Sequence, residues 1–81
     1  MATLNITYNG LSADCTFELD ADVPDADVRR IAVELVRTGA LPGLQIANLP
    51  EDAFAHFVVD RFKGANGEPR LYLRPKVPFG A

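Results

Sequence analysis

The sequence predicts an α+β domain of order ββαββ, one sheet packed on one helix. Three observations carry this. Leu4, Ile6 and Tyr8, and then Ala13, Cys15, Phe17 and Leu19, alternate with polar residues as half-buried strands do. Val28, Ile31, Ala32 and Leu35 recur at helical spacing, and Leu71 and Leu73 alternate once more near the end. The 81 residues hold one domain at most, and 48% apolar with 23% charged residues is the balance of a folding chain, not a disordered one.

The first two runs are joined by Asn9 and Gly10, the residue pair that two-residue hairpin turns favour, so they form a hairpin. Pro24 and the acids Asp25 and Asp27 suit a helix N-terminus, while Arg37 and Gly39 suit its end, which places a helix from Pro24 or Asp25 to Thr38. Val33 and Val36 widen its apolar side. The stretch from Ala40 to Pro50 sets Leu41, Leu44, Ile46 and Leu49 among two prolines and a glycine, the pattern of a packed crossing loop.

Two patterns fit Pro50 to Lys63. Pro50, Glu51 and Asp52 open a possible second helix with Phe54, Phe57, Val58 and Phe62 on it. Against it, Phe57, Val58 and Val59 favour a strand, and Asn66 with Gly67 marks a hairpin turn into the alternation of Arg70 to Arg74. The second reading is preferred: a short turn over Pro50 to Phe54, then a strand from about Ala55 to Phe62.

Charge is unevenly spread. Asp14, Glu18, Asp20, Asp22, Asp25 and Asp27 precede the first basic residue, whereas Arg61, Lys63, Arg70, Arg74 and Lys76 share the last part of the chain with Glu68 alone. A net charge of −3 gives no bulk attraction to nucleic acid. Arg70, Tyr72 and Arg74 nevertheless combine cations with a stackable ring, so RNA or single-strand binding through the last strand is a lesser alternative.

Catalytic groups are sparse. His56 is the one histidine and Cys15 the one thiol, far apart in sequence, so neither a Cys-His pair nor a metal set is expected. Gly64 to Gly67 reads as a hairpin loop without the lysine of a phosphate cradle. No enzyme, cofactor or metal is expected. No run approaches a membrane span and no basic and apolar leader precedes the first strand, so a cytoplasmic protein with no membrane partner is expected.

The order and length of these elements resemble the β-grasp fold of ubiquitin-like proteins, at the level of pattern. The resemblance implies a mixed sheet with the first and last strands parallel at its centre and the helix on one face, over a domain of residues 1–75 followed by an extended tail, 76–81. The other face would then carry Asp14, Thr16 and Glu18 at one side, Thr3, Asn5 and Thr7 in the middle, and Arg70, Tyr72 and Arg74 beyond. Arginine and tyrosine concentrate binding energy at interfaces, so these last three residues are the candidate contacts for a protein partner. An acidic edge with a basic stripe also makes a homodimer conceivable. The tail carries the second candidates, Phe79 and Gly80. Ubiquitin-like modifiers and sulfur carriers end in two glycines activated at the carboxylate. Here Ala81 follows Gly80, so a carrier role requires trimming to Gly80 or an activating enzyme that tolerates Phe79.

Overall fold

A computed structural model of the chain describes residues 2–20 and 22–76. Strands β1 (Ala2–Tyr8) and β2 (Leu11–Phe17) form the expected hairpin, with Leu4 opposite Cys15 and Ile6 opposite Ala13. Asn9 and Gly10 both take positive φ, 50° and 78°. That pair of left-handed residues matches the twist of the flanking strands.

Helix α1 (Asp25–Thr38) has the predicted bounds. Pro24 precedes it in an extended conformation, and its carbonyl accepts from the amides of Asp27 and Val28. Asp25 and Asp27 lie in the first turn and Arg37 in the last, both favourable to the helix dipole. Gly39 ends the helix at φ 79°, a left-handed position that closes the last turn onto the Leu35 carbonyl. The fully buried residues are Val28, Ala32, Val33 and Val36, while Leu35 only flanks the core. The buried stripe is thus the i, i+4, i+8 row through residues 28, 32 and 36, turned slightly from the one that Ile31 and Leu35 suggested.

Strands β3 (Val58–Lys63) and β4 (Pro69–Arg74) complete one sheet of order β2-β1-β4-β3. β4 lies between β1, to which it is parallel, and β3, to which it is antiparallel. The architecture of the described residues is therefore α+β, a four-stranded mixed sheet with one helix. Alternation splits each strand between two faces. Ala2, Leu4, Ile6, Leu71 and Leu73 are buried in one core with the helix and with Leu41, Leu44, Leu49 and Phe54 of the connection that follows it.

That connection resolves the ambiguity at Pro50 to Lys63. Residues 50–57 wind as successive turns, in which the amides of Ala53, Ala55 and Phe57 donate to the carbonyls of Pro50, Asp52 and Phe54. The strand begins at Val58, three residues later than expected. Both sequence patterns thus have a physical counterpart: Pro50, Glu51 and Asp52 open a turned segment, and the β-branched run starts the strand. The turns press Phe54 into the core, where its ring meets Phe57 at 4.9 Å and Tyr8 at 5.5 Å between centroids.

Candidate functional site on the open sheet face

Because Leu71 and Leu73 turn inward, Arg70, Tyr72 and Arg74 turn to the face that the helix leaves uncovered. Thr3 and Asn5 of β1, and Asp14 and Thr16 of β2, share that face by register. The antiparallel pairing of β3 adds Val58, Asp60 and Phe62, since Asp60 stands opposite Tyr72 and Phe62 opposite Arg70. Two rows cross the sheet as a result. One reads Thr16, Thr3, Arg70, Phe62; the other reads Asp14, Asn5, Tyr72, Asp60.

All three predicted contact residues lie on this face, yet they are not equivalent. Arg74 is taken up by the Asp60 carboxylate across the strand pair. Arg70 forms no ion pair among the described residues. Its Nε donates to the Tyr72 hydroxyl at 3.3 Å, and its guanidinium carbon lies 5.8 Å from the centre of the Tyr72 ring. That hydrogen bond is the first cause holding the Arg70 guanidinium above its ordinary pKa, with the Tyr72 oxygen's own attraction next and Asp14 and Glu68 adding less through space. Like any arginine, Arg70 is a cation throughout the physiological range.

Phe62 is the residue that the sequence reading left out of the site. It is 57% exposed, and its ring stands edge-on to Tyr72 at 5.4 Å and 83°. The turn alone misplaces it: a two-residue turn at Asn66 and Gly67 would set Lys63 opposite Arg70, whereas the loop closes between Gly64 and Glu68, one residue longer, and so brings Phe62 there. The acidic side is also occupied from within: Asn5 donates to Asp14 at 2.7 Å and to Ser12 at 3.0 Å. The charge gradient expected across the face therefore stops at β4, since β3 supplies Asp60 beyond it.

The other candidates lie elsewhere. Cys15 is a free, half-buried thiol on the helix side of β2, and His56 is exposed in the turned segment before β3. Among the described residues, no three His, Cys, Asp or Glu side chains come together as a metal site. No described helix is long and apolar enough to cross a membrane. Phe79 and Gly80 lie outside the described residues. On the helix side, Arg61 reaches Asp25 and the Val23 carbonyl, fastening β3 to the start of α1.

No protein-family model matches this chain, and neither a curated protein nor a solved structure is significantly similar to it.

Proposed function

We propose that this chain is a β-grasp domain of the ubiquitin-like kind, a non-catalytic cytoplasmic interaction module that binds a protein partner through its open sheet face. The strand order with its parallel central pair, and a helix on one face only, support the fold assignment. The observation that carries the function is Phe62. A phenylalanine 57% exposed, held edge-on to Tyr72 beside the guanidinium of Arg70, combines the residue types in which interfaces concentrate binding energy.

The test uses an N-terminally tagged chain recovered from its native host after crosslinking. A double variant, Phe62→Ser with Arg70→Glu, is compared with Arg30→Glu, a change at an exposed residue of the helix. Specific partners should be lost from the first and kept by the second. Equal recovery from both would sink the reading. The intact mass of the same material addresses the carrier alternative: loss of Ala81 with adducts that vanish when Gly80 is deleted would replace the interaction module by a carrier.

A further inference from the structure

The chemistry of the open face narrows the partner, on the premise that this face does bind a protein. Arg70 and Phe62 are direct cross-strand neighbours, which sets their Cβ atoms about 5 Å apart. Tyr72 holds both, accepting from the Arg70 Nε and meeting the Phe62 ring edge-on. The terminal amino groups of Arg70 make no hydrogen bond to a described residue, while Arg74, the other arginine of the face, is neutralised by Asp60. One guanidinium without a direct ion pair among the described residues, with Asp14 and Glu68 acting on it only through space, thus stands beside one exposed ring. The row they belong to, Thr16, Thr3, Arg70 and Phe62, contains no carboxylate; Asp14 and Asp60 occupy the row on one side, and Glu68 precedes Arg70 on the other.

We propose that the open face binds an extended acidic peptide segment, with a carboxylate side chain on Arg70 and an apolar or aromatic side chain two residues away on Phe62. Guanidinium and carboxylate match as a planar fork, and the Tyr72 contact fixes the orientation of that fork before binding. In an extended segment, side chains two residues apart point the same way at a spacing of about 6.6 Å, within reach of the Arg70 and Phe62 pair. A segment laid along the Arg70 row sets its carboxylate directly on the guanidinium, while Asp14, Asp60 and Glu68 all lie outside that row. A nucleic-acid strand fits less well. It needs a cation for each successive phosphate, and this face offers Arg70 and an Arg74 already paired with Asp60, beside the carboxylates of Asp14 and Glu68 on a chain of net charge −3.

The inference is tested by NMR titration of the ¹⁵N-labelled 81-residue chain. The probe is a capped peptide, Gly-Thr-Glu-Thr-Phe-Thr-Gly, run beside analogues with Gln or Lys in place of its Glu and beside an oligouridylate. The expected result is saturable shifts at the amides of Phe62, Arg70 and Tyr72 with the acidic peptide, and binding weaker by about tenfold with the Gln analogue. Arg70→Gln should erase that preference, Arg70→Lys should keep part of it, and Phe62→Ser should weaken both peptides alike. Equal binding of the Glu and Gln peptides on these amides overturns the acidic specificity while leaving the face an interaction surface. Shifts confined to other elements, or none at millimolar peptide, overturn the inference outright. The interaction module falls with it only if partner recovery is also insensitive to the Phe62 and Arg70 double variant. Stronger shifts with the oligouridylate overturn it in favour of single-strand binding.

Discussion

Gly39 shows how one residue sets the geometry on which the rest depends. At φ 79° it occupies backbone space that costs an L-residue about 1–2 kcal/mol, and it turns the chain from α1 into the loop that closes the core. A Cβ built there meets the side chain of Gln45 at 2.9 Å, but Gln45 is exposed and can move. The backbone penalty therefore dominates, offset in part by the smaller entropy of an unfolded chain with alanine. Gly39→Ala should cost about 1 kcal/mol and lower Tm by about 4–8 °C, measured by calorimetry. An unchanged Tm would mean that the helix end has relaxed into another conformation. Phe62 is the opposite case. It carries no core packing, so its loss should be felt in binding and not in folding.

At the scale of elements, the long connection from Gly39 to Val58 behaves as a structural layer and not as a loop draped over the surface. Leu41, Leu44, Leu49 and Phe54 are each at most 2% exposed. Two helix arginines fasten it: Arg37 donates from Nε to the Leu49 carbonyl at 2.7 Å, and Arg29 from Nε to the Phe57 carbonyl at 3.0 Å. Replacing Arg37 by Met keeps the aliphatic stem and removes the donor. Arg37→Met should cost about 1–2 kcal/mol in urea unfolding, because a charge-assisted bond is lost and the Leu49 carbonyl loses its partner. The Ile46 amide, which bonds to the Val36 carbonyl, should exchange faster in this variant. Glu34→Gln, which removes only the exposed ion pair at 3.4 Å, should change stability by less than about 0.5 kcal/mol. The arginine clamps were not legible in the sequence, since side-chain reach across 12 and 28 residues leaves no local pattern. The strands and the helix were legible because periodicity is local. Residues 50–57 were ambiguous for the same reason: turn-forming and β-branched signals overlap there, and only the burial of Phe54 decides between them. Likewise Arg70 and Tyr72 could be placed on one face from alternation alone, whereas Phe62 and the Asp60 partner of Arg74 needed the register of β3.

For the whole molecule, the decisive feature is that its last described strand sits in the middle of the sheet. β4 is bonded to β1 on one side and to β3 on the other, so elements distant in sequence meet at the centre and the two hairpins cannot form the core separately. Leu71 and Leu73 are 1% and 0% exposed, and removing either side chain alone should cost about 2–5 kcal/mol. A chain of this size has about 4–12 kcal/mol of total stability, so losing both consumes most or all of it. The fragment of residues 1–64 loses more still, because β3 has no other strand to pair with and the parallel edge of β1 is laid open. It should therefore show no cooperative thermal transition by circular dichroism and no protected amides at Leu4 or Ile6. In the intact chain those two amides, with Leu71 and Leu73, should be the slowest to exchange. A cooperative transition in the fragment would mean that the β1 and β2 hairpin with α1 is a sufficient core. The open face, half of whose residues come from β3 and β4, would then be an addition to a finished domain instead of a surface that exists only when the domain is complete.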